Sequence, residues 1–142
     1  AKFTYTNTFG EWSGKAAVGS SGKECLQINV KDNSAFGSFV QIPAVDGTIE
    51  KIEVTIREPY KGRAIGIFPV GYTYTKDTLD KMKEQLAKDA IAISNETPSD
   101  VNNNEPFTFV IDNLSAKNLT QFSIFPTLGA VSITAITVTY SK

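Results

Sequence analysis

The side chains best suited to chemistry in this chain are four aromatic rings in turn-like segments. Trp12 lies in a glycine-flanked turn, and Tyr60 lies in the run Pro-Tyr-Lys-Gly. Tyr72 and Tyr74 would share one face of an extended chain because they stand two residues apart. An exposed ring can cover the apolar face of a sugar, whose hydroxyl groups then need amide, carboxylate or guanidinium partners. These rings are therefore candidate ligand contacts, although each could instead pack against the domain itself.

Polar partners for such a ligand follow from the phase of the predicted strands. Gln27 and Gln41 each stand between two aliphatic residues, so they point to the opposite face of their strands. Arg57 continues the outward phase of the next predicted strand, and Arg63 begins the strand after it. These four side chains could line a concave sheet face beside the rings. The alternative for each of them is an ordinary solvated sheet surface.

The chain contains no histidine, which excludes several kinds of catalytic site. Nucleophiles activated by histidine, zinc bound by histidine and imidazole acid–base catalysis all require this residue. A pair of carboxylates could still hydrolyse a glycosidic bond if one of them were kept protonated in an apolar setting. The acidic residues mostly lie beside lysines or in turns, and the single cysteine, Cys25, lies within a predicted strand. We therefore predict no catalytic residues and no metal ligands.

Charge and length restrict the class of protein further. The 142 residues suffice for one domain with a two-layer core, and a single cysteine allows no internal disulfide. The 14 basic and 15 acidic residues are spread along the chain, so no basic patch for nucleic acid or anionic membrane is expected. No apolar run approaches the ~20 residues that a membrane-spanning helix needs, so we expect no membrane insertion.

The composition also bears on where the protein acts. It is rich in Thr, Ser, Asn and Gly, which favours a bacterial protein that is secreted or displayed on the cell surface. The chain opens Ala1-Lys2-Phe3 without an initiator methionine. We expect a single β-sandwich domain over residues 1–142, excised from a larger secreted protein and monomeric within it.

Two stretches share one strand pattern and indicate the fold class. Aliphatic side chains occupy alternate positions in both, as in half-buried strands. A break in that alternation predicts one β-bulge near Thr134 and Ala135 and another between Ile49 and Ile52. The stretches are Ile49-x-x-Ile52-x-Val54-Thr55 and Ile133-x-x-Ile136-x-Val138-Thr139. About nine strands are predicted in all, and most of the phenylalanines within them are assigned to the core.

One segment departs from the sheet pattern. Leu79, Met82 and Leu86 lie at helical steps between residues 78 and 90, and Asp77 or Thr78 can cap the first turn. We predict an all-β jelly-roll sandwich of two antiparallel sheets with one inserted α-helix at about residues 78–90. The helix is expected to cover an end or an edge of the sandwich.

Three passages resemble the jelly-roll carbohydrate-binding modules of bacterial glycan-degrading enzymes, which have a galactose-binding-like β-sandwich. The passages are Trp12 followed by Ser21-Gly22-Lys23-Glu24-Cys25-Leu26-Gln27-Ile28, then Gly47-Thr48-Ile49-Glu50-Lys51-Ile52-Glu53-Val54, and Phe107-x-Phe109 through Ile133-Thr134-Ala135-Ile136-Thr137-Val138. This resemblance implies non-catalytic binding of a polysaccharide or oligosaccharide, and a module that can be attached to a glycoside hydrolase.

The chain departs from that family pattern at two places. Many of these modules carry an aspartate that helps to hold a structural calcium where this chain has Ala135. We therefore expect no cofactor, and structural calcium at this position is doubtful. Modules that bind long β-glucan chains often have several tryptophans, whereas Trp12 is the only one here. A groove or a chain end is thus a better expected target than flat crystalline cellulose.

Three functions remain to be compared. The leading one is carbohydrate binding by aromatic stacking and polar side-chain hydrogen bonds, with a glycan as partner. The second is a structural or adhesive β-sandwich of a bacterial surface protein that mediates protein contacts, which predicts packed rings and no groove. The third is a small carboxylate-dependent glycosidase or lyase, which needs two acids about 5 to 9 Å apart in a cleft.

Overall fold

The computed structural model describes residues 2–7, 17–18, 25–30, 38–74 and 77–142, with the backbone alone for the first two ranges. These residues form ten strands, one α-helix and a short 3₁₀ helix at Ser115–Lys117. The elements in chain order are β1 (Lys2–Asn7), β2 (Ala17–Val18), β3 (Leu26–Ile28), β4 (Val40–Gln41), β5 (Thr48–Arg57), β6 (Ile65–Phe68), α1 (Leu79–Asp89), β7 (Ala92–Ile93), β8 (Phe107–Ile111), β9 (Ser123–Pro126) and β10 (Val131–Ser141).

The strands form two antiparallel sheets. The first has the order β2-β3-β10-β5-β8, with β1 also paired to β10, and the second has the order β4-β9-β6-β7. From β3 to β6, and again from β8 to β10, consecutive strands alternate between the two sheets. That alternation is the topology of a jelly roll. The predicted all-β sandwich with one inserted helix is therefore confirmed.

The ladder between β5 and β10 contains both predicted bulges. Thr134 is an extra residue of β10 near one end, and its hydroxyl donates to the Thr55 carbonyl at 3.2 Å. Glu50 is an extra residue of β5 near the other end, and its carbonyl accepts the Leu114 N–H at 3.0 Å. At each bulge, a backbone carbonyl accepts a hydrogen bond that is not part of the ladder, as buried or half-buried backbone groups require.

Two apolar clusters stabilise the sandwich. The main one lies between the sheets and is built from the alternating aliphatic side chains of the long strands. The second contains Phe68, Phe125, Tyr74 and the two helix residues Met82 and Leu86. Four of the phenylalanines assigned to the core are buried: Phe68, Phe109, Phe122 and Phe125.

Helix α1 closes over the second cluster. It begins after Thr78, whose hydroxyl accepts the Lys81 N–H at 3.3 Å, so one of the two predicted caps is confirmed. Met82 and Leu86 are buried at its inner face. Burying each of these side chains is worth about 1.5–3 kcal/mol, which exceeds anything that intrinsic helix propensity supplies here.

Strand β9 starts later than the sequence pattern predicts. The sequence pattern favours a strand over residues 119–125, whereas β9 begins at Ser123. The carbonyls before it bond to a different part of the chain: Leu119 accepts from Ile49 at 2.8 Å and Thr120 from Val45 at 2.9 Å. These residues therefore bond to the start of β5 and to the segment before it instead of lengthening the ladder.

We expect Gly47→Ala to lower the free energy of unfolding by about 2 kcal/mol, within the usual cost of overpacking. A Cβ at Gly47 would lie 2.3 Å from the Ser141 carbonyl oxygen, a backbone atom that cannot rotate away. Urea denaturation measures the change. Gly71→Ala is the control, because a Cβ there meets nothing within 4 Å and bears only the cost of a positive φ of 86°, about 1 kcal/mol. Equal losses in the two variants would contradict the clash.

Candidate functional site

Three loops meet at one end of the sandwich. They connect β5 to β6 (residues 58–64), β7 to β8 (residues 94–106) and β9 to β10 (residues 127–130). The end of β5 and the start of β10 lie side by side because Arg57 pairs with Ser132. The Thr127 N–H donates to the Ala64 carbonyl at 3.0 Å, which joins the third loop to the first. This end of the molecule therefore gathers side chains that are distant in sequence.

Thr97 joins the second loop to the first. Its hydroxyl donates to the Tyr60 carbonyl at 2.6 Å and accepts the Arg63 N–H at 2.9 Å. Its backbone N–H donates to the Arg63 carbonyl at 2.8 Å, and its carbonyl accepts the Gly62 N–H at 3.3 Å. Thr97 is buried, at 3% exposure. Because four hydrogen bonds converge on this residue, the backbone from Tyr60 to Arg63 is held in one conformation.

Tyr60 occupies a backbone conformation that is uncommon for a bulky residue. Its φ is 48°, and Glu58 shares the left-handed region at 46°. The Tyr60 N–H donates to Oδ1 of Asn103 at 3.0 Å. The residue as a whole is 47% exposed. A strained residue that its neighbours hold in place while its ring faces solvent is typical of a functional position.

Arg63 lies beside this ring. Its Nε donates to the Ala130 carbonyl at 3.0 Å, which fixes the plane of the guanidinium group. The guanidinium carbon lies 5.9 Å from the centre of the Tyr60 ring. A Cβ added to Gly129 would come within 2.9 Å of Nη1, so the third loop supports the group from the side. The cation and the ring are thus presented together by three separate loops.

A cavity of about 380 Å³ opens between the first and second of these loops, and we call it the Tyr60 cleft. Its volume falls within the range of about 300–1,000 Å³ that is usual for small-ligand sites. One aromatic ring, one aliphatic side chain, two cations, a hydroxyl and an amide face it. The lining residues are Tyr60, Lys61, Arg63, Ser99, Val101 and Asn103.

A second cleft of about 240 Å³ shares Asn103 with the first, and we call it the Arg57 cleft. Arg57 Nη2 lies 3.9 Å from Oε1 of Glu58, whereas its Nε is buried without a hydrogen-bond partner. The lining residues are Arg57, Glu58, Asn103, Asn104, Glu105, Pro106 and Thr134. The two clefts therefore form one polar surface at the loop end of the sandwich.

Two of the predicted polar contacts lie in a row that leads to this surface. Ser132 of β10 pairs with Arg57 of β5 on one side and with Gln27 of β3 on the other. Residues directly opposite one another on neighbouring strands point to the same face of the sheet. Gln27, Ser132 and Arg57 thus cross the first sheet together, and Gln27 is exposed.

The other predicted contacts lie elsewhere. Gln41 belongs to β4, in the second sheet. Tyr74 is 3% exposed, and its hydroxyl donates to the Val30 carbonyl. Tyr72 stacks on Phe68 with ring centres 4.6 Å apart. These tyrosines pack in the second cluster, which is the alternative to a joint exposed platform, and Trp12 lies outside the described residues.

Tyr72 also participates in a polar contact beneath the helix. Its hydroxyl donates to Oδ2 of Asp89 at 2.8 Å, and the Gln85 amide donates to the same oxygen. Burial raises the pKa of Tyr72 well above its usual value, and the Asp89 carboxylate raises that pKa further. The hydroxyl therefore stays protonated and bound to the helix, and it serves the packing of α1.

Sequence reasoning missed four residues that line the Tyr60 cleft, Lys61, Ser99, Val101 and Asn103, and also the supporting residue Thr97. Lys61 follows Tyr60 directly, so the prediction of Tyr60 as a ligand contact could have indicated Lys61 as well. Asn103 is the middle residue of an Asn-Asn-Asn run, which indicates a turn but not a partner. Thr97 showed no signal, because its role depends on contacts between two loops.

Acidic residues of the described part of the chain do not form a glycosidase-like pair in the Tyr60 cleft. Glu58 and Glu105 both line the Arg57 cleft, but both are exposed to solvent and are not enclosed in an apolar pocket. No cluster of three Cys, Asp or Glu residues suitable for a metal ion occurs in the described ranges. Within the same ranges, no helix combines the length and apolar character required to span a membrane.

Comparison with known proteins finds no matching protein-family model and no matching curated protein. Solved structures do include similar chains, among them one named BiXyn10A CBM1 APO. That chain is 12% identical, with 96% of this chain and 97% of that chain covered, at a TM-score of 0.48. The abbreviation CBM in that name stands for carbohydrate-binding module. A likeness of this degree carries no argument about ligand or family, so the class stated here, an antiparallel jelly-roll sandwich with a polar cleft at its loop end, rests on the strands and loops described above.

Proposed function

We propose that this domain binds carbohydrate without catalysing a reaction, and that the Tyr60 cleft is the binding site. The observation that carries the proposal is an exposed Tyr60 ring on a backbone held by Thr97 and Asn103, with the Arg63 guanidinium beside it. The ring can cover the apolar face of a pyranose. The guanidinium, amide and hydroxyl groups around it are the partners that sugar hydroxyls require.

The expected affinity is modest. Covering about 100 Å² of apolar surface is worth about 2.5 kcal/mol. A few hydrogen bonds then bring the total to about −4 to −8 kcal/mol, which corresponds to millimolar to micromolar dissociation constants. Because hydrogen bonds already fix the loops around Tyr60, little conformational freedom is lost on binding, and more of the interaction energy remains as affinity.

The position of the cleft favours one mode of binding. It opens between loops at one end of the sandwich and not on a flat sheet face, which suits a chain end or a short segment of a glycan. The row of Gln27, Ser132 and Arg57 continues from the Arg57 cleft across the first sheet. Further sugar units could follow that row. A glycan ligand agrees with a secreted or cell-surface location, which forms part of the proposal.

The alternative function, adhesion through protein contacts, is favoured by a different observation. Strand β8 forms an edge of the first sheet and exposes 47% of Val110, and β7 exposes 42% of Ile93 at an edge of the second. Strand edges offer unpaired backbone groups to another chain. The packed Tyr72 and Tyr74 agree with this function, whereas the exposed Tyr60 and its cleft do not.

We expect Tyr60→Ala to weaken glycan binding at least tenfold, because the stacking surface is lost. Affinity electrophoresis and calorimetry against plant, host and microbial polysaccharides measure the change, with thermal unfolding to verify folding. Val110→Ala is the matched control, since its side chain is equally exposed, at 47%. Trp12→Ala tests the other predicted ring in the same screen.

Each outcome of this screen decides between the functions. Binding that is lost in Tyr60→Ala and retained in Val110→Ala supports the proposal. Binding that persists in Tyr60→Ala but is lost in Trp12→Ala places the site elsewhere. If the folded wild-type domain binds none of the glycans, carbohydrate binding is wrong and the adhesive function is preferred.

A further inference from the structure

The Tyr60 cleft carries a local positive charge that the chain as a whole lacks. The formal net charge is −1. Lys61 and Arg63 nevertheless both line the cleft, and no carboxylate of a described residue lines it with them. Asp100 stands between the lining residues Ser99 and Val101 in sequence, but its own side chain is not part of the lining. A ligand in this cleft therefore meets two cations and no lining anion.

Arg63 is oriented to bind a planar anion. Its Nε is already bonded to the Ala130 carbonyl at 3.0 Å, and Gly129 lies against Nη1. Among the described residues, no carboxylate forms an ion pair with Arg63, so its remaining N–H groups are available to a ligand. Two parallel N–H groups of a guanidinium match the two oxygens of a carboxylate, and such bidentate pairs are stronger and more specific than single contacts.

The neighbouring cleft differs in this respect. Arg57 has an acidic neighbour there, since its Nη2 lies 3.9 Å from Oε1 of Glu58, and Glu105 also lines that cleft. Its charge is therefore largely compensated. Of the two clefts, the one lined by cations without a carboxylate is therefore the one that Tyr60 lines, so a single ligand could meet both the ring and the charge.

We propose that the ligand is an acidic glycan that contains hexuronic acid, with a sugar ring stacked on Tyr60 and its carboxylate paired to Arg63. Lys61 adds a second, less directional attraction, because its exposed ammonium group acts as a point charge. This inference rests on the proposed function and specifies its ligand class. An acidic sugar accounts for the presence of both an aromatic ring and two cations in the cleft, whereas a neutral glycan does not require two cations.

The test compares each acidic polymer with a neutral form of itself. Polygalacturonate, alginate and hyaluronate are each used intact and after chemical reduction of their carboxyl groups, with binding measured by calorimetry and affinity electrophoresis. We expect at least one intact polymer to bind about tenfold more tightly than its reduced form. That difference should shrink between 0.05 M and 0.5 M salt, because an exposed ion pair is screened.

Variants separate the charge from the ring. We expect Arg63→Gln to weaken binding of the intact polymer at least tenfold and binding of the reduced form by a clearly smaller factor, so that most of the preference for the intact polymer is lost. Gly129→Ala should also diminish that preference, because the new Cβ would displace the guanidinium, whose Nη1 it approaches to 2.9 Å, without removing its charge. Lys61→Gln, at an exposed position that does not endanger folding, should weaken binding of the intact polymer about threefold.

Lys117→Gln is the matched control for charge. Lys117 is exposed on the 3₁₀ helix, which adjoins the opposite end of β5 through the bond from Leu114 N–H to the Glu50 carbonyl. The Lys117→Gln variant should bind each polymer with wild-type affinity. An equal loss of affinity in Lys117→Gln and Lys61→Gln would indicate general charge attraction and overturn the proposal.

The remaining outcomes distinguish failure of this inference from failure of the proposed function. Equal binding of intact and reduced polymers, lost in Tyr60→Ala, would retain carbohydrate binding and overturn the acidic ligand. Tighter binding of a sulfated polymer without uronic acid, such as carrageenan, would overturn the carboxylate assignment. No binding of either form would overturn the acidic ligand, and the proposed function would fail with it only if the wider screen of polysaccharides also found no binding.

Discussion

Phe125→Ala is expected to lower the free energy of unfolding by about 3–5 kcal/mol, the usual cost of removing a buried phenylalanine. Phe125 is fully buried and lies at the centre of the second cluster. Its ring is 5.1 Å from those of Phe39 and Phe68 and 5.5 Å and 5.8 Å from those of Tyr72 and Tyr74. Four aromatic neighbours would face the resulting cavity, and rigid rings relax poorly into such a space.

Urea denaturation followed by tryptophan fluorescence and circular dichroism measures this loss. Val110→Ala, at an exposed position of β8, is the control and should change the free energy by less than about 0.5 kcal/mol. A loss below about 1.5 kcal/mol in Phe125→Ala would contradict the packing of the second cluster. Because the Tyr60 cleft is formed by other residues, any folded Phe125→Ala protein should still bind glycan.

Thr97→Val is expected to affect stability and binding together. Valine keeps the volume of threonine but removes the hydroxyl that bonds to the Tyr60 carbonyl and the Arg63 N–H. A fully buried group left without a partner costs about 1–3 kcal/mol. Because both hydrogen bonds are only partly buried, the free energy of unfolding should fall by about 2–4 kcal/mol, below the upper limit for two such groups. The loop that presents the ring would also be less well fixed, and glycan affinity should fall about tenfold while the protein remains folded.

Thr97→Ser separates the hydroxyl from the methyl group. It keeps both hydrogen bonds and loses one methyl group, which is worth about 0.8 kcal/mol. Its glycan affinity should match that of the wild-type protein. Loss of binding in Thr97→Ser and Thr97→Val alike would show that the hydroxyl does not position Tyr60, whereas loss in the valine variant alone confirms that it does. Calorimetry at a temperature where both variants are folded makes the comparison.

The sequence pattern predicted the long strands well because their alternation is a local property. Strand β5, from Thr48 to Arg57, contains the whole of the first pattern stretch, Ile49 to Thr55, and the predicted bulge near Thr134 is present. The helix begins one residue after Thr78, as its cap requires. In each case the burial of one face is visible in the spacing of the side chains.

Side-chain environments were less predictable because they depend on distant segments. The two-residue spacing of Tyr72 and Tyr74 predicts that they share one face. The spacing does not indicate whether that face is exposed to solvent or packs against Phe125, as it does in the structure. Tyr60 was identifiable from its turn, whereas the supports that hold it, Thr97 and Asn103, lie on another loop. Contacts between loops have no period in the sequence, so they could not be read from it.

The antiparallel pairing of β1 with β10 determines where anything attached to this domain would stand. Lys2 and Thr48 both pair with Ser141, whereas Ser132 pairs with Arg57 beside the clefts. The length of β10 from Ser132 to Ser141 is about 30 Å, at ~3.3 Å per residue. A dye, a solid support or another polypeptide joined near residue 2 or residue 141 would therefore stand on the side remote from Tyr60. A long polymer could then reach the cleft without contacting the group to which the domain is attached. A surface coated with the domain through residue 2 or residue 141 would therefore present the cleft toward solution.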